Sequence, residues 1–214
     1  MGQIRGGIPA RPAQTSQPGP DLSAFPRILS LWLAAAATLA AAEPADLAAA
    51  RALLDARRFP EARSAFERLE AAEPSNPDVH YYVGELALNR GDTGTSVREM
   101  ERAVQLAPSS ALFRIGLGDA YGRSAEKAPI FTRFSLARKC VAEYQRASSL
   151  EPGNVDAHER LLEFYLRAPS FVGGDDDKAE HEASTVMKLD PARGARAYAM
   201  LQAHGQKVPP DPAR

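Results

Sequence analysis

The chain has a single cysteine, Cys140, so no intrachain disulfide can form. It has one tryptophan and only 7 % aromatic residues. Alanine is abundant instead, which suits helices that pack closely. Its formal net charge is −1, with 26 basic and 27 acidic residues. Near neutrality offers no electrostatic reason to expect nucleic acid or an anionic membrane as the main ligand. Apolar runs are short: the longest, Ile28 to Ala42, falls below the roughly 20 residues a membrane span needs.

The signatures of catalysis and of metal binding are also missing. His80, His158, His181 and His204 are scattered through the chain and none stands at zinc-ligand spacing. His158-Glu159 and His181-Glu182 each lack the second histidine of an H-E-x-x-H helix. Packing or surface roles are expected for all four. Gly173 to Lys178 looks like half of a calcium loop, but the alternating acids and the closing glutamate are absent. Those acids read better as the start of a helix, where they complement its dipole. No serine sits in a nucleophile elbow, and no glycine run cradles phosphate. Cys140 falls where a small residue is wanted and reads as a small hydrophobe rather than a reactive thiol. Arg133, Arg138, Lys139 and Arg146 give one helix a basic side, which reads as a solvated face. No catalytic residue, no cofactor and no metal site is expected.

The N-terminus has an address instead. Residues 1–24 are rich in Gly, Pro, Gln and Ser and are expected to be disordered. Arg27, the run Ile28 to Ala42, and the small residues before Glu43-Pro44 form the parts of a secretory signal peptide. Cleavage is expected near Ala42-Glu43, giving an exported, periplasmic protein. An uncleaved membrane anchor is the alternative. No cysteine stands directly after the run, so a lipoprotein anchor is not expected.

What the chain does have is a period. Pro74 and Pro108 are 34 residues apart, as are Gly84 and Gly118. Between the prolines lie one helical pattern from Asp78, a turn at Asn89 to Asp92, and a second helical pattern from Ser96 to Leu106. Four such units are expected: about 43–76, 77–110, 111–154 and 155–193, followed by a cap at 194–206 and a loose tail at 207–214. In the first unit, Leu47, Ala50, Leu53 and Leu54 form one apolar face, and Ala62, Ala65, Phe66 and Leu69 the other. Gly84 and Gly118 mark where two helices cross tightly, with Ser96 and Ala103 as small partners of the first. The third unit carries ten extra residues, expected between its helices around Arg123 to Arg133. The fourth carries five extra, at Ala168 to Asp175. Ala199, Met200 and Ala203 are expected to form the apolar stripe of the cap.

A 34-residue helix–turn–helix unit closed by proline resembles the tetratricopeptide repeat (TPR). The resemblance covers roughly Glu43 to Gln206. One departure is clear: the bulky aromatic early in the first helix is replaced by Asp46, His80, Arg114 and His158. The chain is also similar to small exported bacterial TPR proteins with glycine-rich inserts in the last repeat.

The resemblance implies an all-α solenoid that binds a protein or peptide without catalysis. Its groove is expected to be lined by Tyr81, Tyr82, Glu85, Asn89, Ile115, Asp119, Arg123, Glu159, Glu163 and Arg167. The lysine–asparagine set that clamps a C-terminal carboxylate in chaperone-binding relatives is absent, so that ligand is not supported. A second candidate surface is the edge carrying the two inserts. There Ile130, Phe131 and Phe134 are expected to face Phe171 and Val172, either burying one another or docking a partner. The expected role is a scaffold or adaptor of the bacterial cell envelope. A membrane-tethered accessory factor of envelope assembly or secretion, and an enzyme with an unrecognised site, are the alternatives. Neither nucleic acid nor a small-molecule substrate is expected, and a membrane contact only if the leader stays attached.

Overall fold

The computed structural model describes Gly2 and residues 45–205. The expected cleavage site, the rest of the expected leader and the tail from residue 206 lie outside the described residues. The chain divides into two units, Met1–Ala42 and Glu43–Arg214. The described helices all belong to the second unit. They are α1 (Ala45–Asp55), α2 (Phe59–Ala72), α3 (Pro77–Asn89), α4 (Thr93–Leu106), α5 (Ala111–Lys127), α6 (Ile130–Leu150), α7 (Val155–Arg167), α8 (Asp176–Leu189) and α9 (Pro191–Ala203). No strand occurs among the described residues, and none of their helices is long and apolar enough to cross a membrane.

Each helix packs on the next, and α3 touches α5, α5 touches α7, and α7 touches α9. From α3 onward the first helices of successive pairs therefore form a layer of their own, as in a solenoid. Local chemistry sets the repeat boundaries. Asn76, Ser110 and Asn154 each stand two residues after a repeat-closing proline. Each accepts a backbone N–H of the helix that follows: from Asp78, Phe113 and Ala157 respectively. Such caps contribute about 1 kcal/mol apiece. Asp92 and Asp175 do the same for the second helices α4 and α8. The acidic run 175–177 is thus the N-cap and first turn of α8.

The first pair buries Leu47, Ala50, Ala62, Phe66 and Leu69 in one cluster with Val79 and Leu86, while Leu53, Leu54 and Ala65 are half-buried against it. A larger cluster runs from Tyr81 to Leu201. Tyr82 packs against both clusters.

At Gly84 an added Cβ would lie 2.7 Å from Met100 Cγ and 3.3 Å from the Ser96 carbonyl oxygen. At Gly118 it would lie 2.4 Å from the Tyr144 ring. Both glycines therefore mark tight crossings of equivalent helices.

Two expectations are corrected. The ten extra residues of the third unit lie mostly within its helices: α5 has 17 residues, α6 has 21, and only Ala128 and Pro129 connect them. Ala125, Glu126 and Lys127 are good helix formers and carry α5 onward. Ala128 precedes a proline and turns extended, with ψ 151°. The cap helix also starts earlier, at Pro191, and turns a different face inward. Gly194, Ala197 and Leu201 are buried, while Ala199 and Ala203 are exposed. Gly194 sets this rotation, since a Cβ there would lie 2.3 Å from the Met187 backbone.

The second insert does lie between its helices. A short 3₁₀ turn, Ser170–Val172, buries Val172. Gly174 presses on the Ala168 carbonyl, where a Cβ would come within 1.7 Å of the oxygen.

Candidate functional site

The position where a repeat aromatic was missing turns out to hold a polar lock. His80 Nδ1 lies 3.0 Å from Glu99 and its Nε2 lies 3.0 Å from the Pro74 carbonyl oxygen. His158 repeats this, with Nδ1 2.6 Å from Glu182 and Nε2 3.0 Å from the Pro152 oxygen. Arg114 donates to Glu143 at 2.8 Å and to the Pro108 oxygen at 2.7 Å. In the second, third and fourth units one side chain of the first helix ties the second helix to the preceding proline turn. The signal was present in sequence: the partners stand 19, 29 and 24 residues on, which is 19 plus the inserts.

Glu70 joins His80 and Glu99, and the three offer ligating atoms within 4.8 Å of one another. Both His80 nitrogens already have partners, so an ion would have to break the lock.

The expected groove and the expected insert edge meet in one cleft of about 880 Å³ between α5, α6, α7 and the 168–175 connection. Asp119, Arg123, Glu163 and Arg167 of the groove line it, together with Ile130, Phe134, Phe171 and Val172 of the edge. The Phe134 and Phe171 rings meet edge to face at 5.0 Å, and Arg138 donates to the Phe171 carbonyl oxygen at 3.2 Å. Phe171 nonetheless remains 63 % exposed and Ile130 51 %. The two inserts therefore pack together and leave apolar surface open. Phe131, 89 % exposed, points away into a shallow neighbouring depression with Arg138 and Lys139.

The other groove residues are placed elsewhere. Tyr81 and Ile115 are buried in the core. Gly116 is the reason for Tyr81, since a Cβ there would lie 2.6 Å from its ring. Tyr82 stacks on Phe66 at 5.2 Å. Glu85 accepts from the Tyr81 hydroxyl at 3.2 Å, and burial raises its pKa. Glu159 is held by Arg193 of α9 at 2.9 Å. Asn89 is exposed at the end of α3.

Sequence reading missed Leu88, Gly122, Ala137, Cys140, Tyr144, Arg160 and Phe164 as cleft residues. Gly122 was the available clue: it stands one turn beyond Gly118 and leaves α5 bare over Cys140.

The floor of the cleft is polar. Tyr144 donates to Asp119 at 2.6 Å. Arg160 Nε lies 3.0 Å from the same carboxylate as an ion pair, off the line of a hydrogen bond. Burial raises the Asp119 pKa, against the pull of Arg160 and of the Tyr144 hydroxyl. Burial likewise pushes the Cys140 thiol up to about 12. A thiol so protonated is a poor nucleophile. The hydroxyl of Tyr144 is spent on Asp119, so the cluster ties α5, α6 and α7 together.

Comparison with known proteins agrees with this geometry. Residues 47–111 match the tetratricopeptide repeat family model. No curated protein matches the chain in sequence. Among solved structures, it is similar to a thermophilic TPR protein of Thermus thermophilus, with 19 % identity and TM-score 0.63 over 74 % of this chain and 80 % of that one. It is also similar to MamA from Desulfovibrio magneticus RS-1, with 20 % identity and TM-score 0.52 over 69 % and 75 %. A third is an O-GlcNAc transferase of Thermobaculum terrenum, with 21 % identity and TM-score 0.54 over 69 % of this chain but only 27 % of that enzyme. Residues 47–111 thus carry tetratricopeptide repeats, and the described residues fold as an all-α solenoid of the tetratricopeptide-repeat kind.

Proposed function

We propose that the protein is a non-catalytic scaffold of the bacterial cell envelope that holds a protein partner in the cleft between α5, α6 and α7. The observation that carries this reading is the merger of groove and insert edge into one cleft with exposed Phe171 and Ile130 on its rim. Repeat solenoids typically recognise partners through such continuous surfaces. The polar groups of the floor are engaged with one another, which favours holding over chemistry. An enzymatic role, as in the transferase neighbour, would need a reactive group that this floor does not offer.

The test is to fill the cleft. Gly122→Trp places a ring over Cys140 and Ala137 from a bare helix face. Partners are trapped by cross-linking in the envelope fraction and compared between the natural chain and the variant, after circular dichroism shows equal helicity. A partner lost with Gly122→Trp and retained by Phe131→Ala supports the reading. Partners unaffected by a filled cleft overturn it. N-terminal sequencing of the exported chain addresses the compartment: a start at Glu43 supports a released periplasmic protein, and an intact leader supports the tethered alternative.

A further inference from the structure

The charges around the cleft are not balanced evenly, and this bears on what the proposed docking site takes. Of its four guanidinium groups, Arg160 is paired with Asp119 at 3.0 Å and Arg123 faces Glu126 at 3.5 Å. Among the described residues Arg133 bonds to main-chain carbonyls, those of Ala125 and Ala128 at 3.2 Å each. Arg167 makes no ion pair among the described residues and is exposed. Those carbonyls at the C-terminus of α5 offer Arg133 a partial dipole charge but no carboxylate. The two groups stand at the ends of neighbouring connections, Arg133 in the first turn of α6 and Arg167 in the last turn of α7. The apolar rim lies beside them, with Ile130 and Phe134 in the first two turns of α6 and Phe171 in the 168–175 connection.

Resting on the docking role proposed above, we infer that the cleft takes an internal peptide segment in which a large apolar side chain is followed closely by an Asp or Glu. The apolar group enters between Phe134, Phe171 and the bare Gly122 face, and the carboxylate pairs with Arg167 and Arg133. A guanidinium matches a carboxylate with two parallel N–H donors, so this pairing specifies as well as attracts. A basic segment would meet four guanidinium groups against three carboxylates, Asp119, Glu126 and Glu163, with the two guanidinium groups that have no carboxylate partner nearest the apolar rim. A chain terminus is not required, because the site lacks the lysine–asparagine clamp and uses side-chain carboxylates.

The test uses an array of random-sequence nonapeptides, acetylated and amidated so that no terminal charge remains, probed with the full chain. Bound sequences are expected to be enriched in an apolar residue with an acid nearby. In solution, a bound array peptide is expected to lose about tenfold in affinity with Arg167→Glu, with Arg133→Gln as the second variant because Arg133 also caps α5. Its Asp→Lys counterpart is expected to bind Arg167→Glu better than the natural chain. If peptides bind and Gly122→Trp blocks them, but no acid is enriched, the charge rule fails while the docking role stands. If no peptide binds, or binding survives Gly122→Trp, both fail.

Discussion

Gly118 lies so close beneath Tyr144 that a single methyl group added to it would sit 2.4 Å from the ring. The ring has no room to retreat, because its hydroxyl is bonded to Asp119 at 2.6 Å on the same helix as Gly118. At the matching position in the preceding repeat, Gly84 faces Met100, and a methyl would first meet the thioether chain at 2.7 Å. A methionine chain adjusts more readily than an anchored tyrosine, although Met100 is fully buried and the Ser96 carbonyl oxygen stands at 3.3 Å. Gly118→Ala is therefore expected to destabilise the fold by about 2 kcal/mol, the usual cost of overpacking. Gly84→Ala is expected to fall within about 1 kcal/mol of neutral, because alanine's helix propensity offsets the crowding. Urea unfolding of both variants checks this, and equal losses would contradict the assigned difference between the two crossings.

The period also exposes a strained residue. Arg57 has φ 56°, and Gly91, 34 residues on, has φ 77°. Both sit in the turn between the helices of a pair, where the chain must pass through the left-handed region. Glycine adopts it at no steric cost, whereas an ordinary residue loses roughly 1 kcal/mol there. Arg57→Gly is expected to raise the unfolding midpoint, and Gly91→Ala to lower it. Thermal unfolding of the two single variants tests the pair. A midpoint lowered by Arg57→Gly would show that the arginine side chain outweighs the backbone strain.

Period and polarity made most of this fold legible. Prolines 74, 108 and 152, the glycines at crossings, and the apolar spacing in the first pair all lie where the sequence places them. Less legible was anything that depends on where a helix stops or how it is rotated. The extra residues of the third unit continue helices instead of forming a loop, because nothing before Ala128 breaks α5. The cap turns about its axis because Gly194, not its larger residues, fits against Met187. Tyr81 and Ile115 have the right position in the repeat for a groove but are buried by Gly116 and the neighbouring helix, a tertiary fact that no single repeat contains. The polar lock was hidden for the opposite reason: inserts of different length disguised a constant partner.

Cys140 is expected to resist thiol reagents as long as the protein is folded. It is 4 % exposed, and burial holds its thiol at about 12, so little thiolate exists near neutral pH. A disulfide-exchange reagent added at about pH 8 should react only at the rate of unfolding, and at once in guanidinium. Gly122 covers the sulfur with backbone alone, and a Cβ there would lie 3.5 Å from Sγ. Fast labelling of the native protein would mean that the cleft opens to its floor.

The pair of His158 and Glu182 gives the fold a pH dependence with a definite sign. The hydrogen bond to Glu182 raises the folded pKa of His158 above 6.5, against a smaller opposing effect of burial. Folding therefore favours the protonated ring. Its contribution is complete below the unfolded pKa of about 6.5 and fades as the pH climbs through the raised folded value. Replacing the ring by the neutral amide in His158→Gln should remove that dependence and leave a bond to the Pro152 carbonyl within reach. The stability difference between the natural chain and the variant is expected to be largest near about pH 6 and to shrink toward about pH 9, as measured by urea unfolding at constant ionic strength. A difference that grows with pH would mean that the imidazole is held neutral, and that the bond to Glu182 is not the charged pair described here.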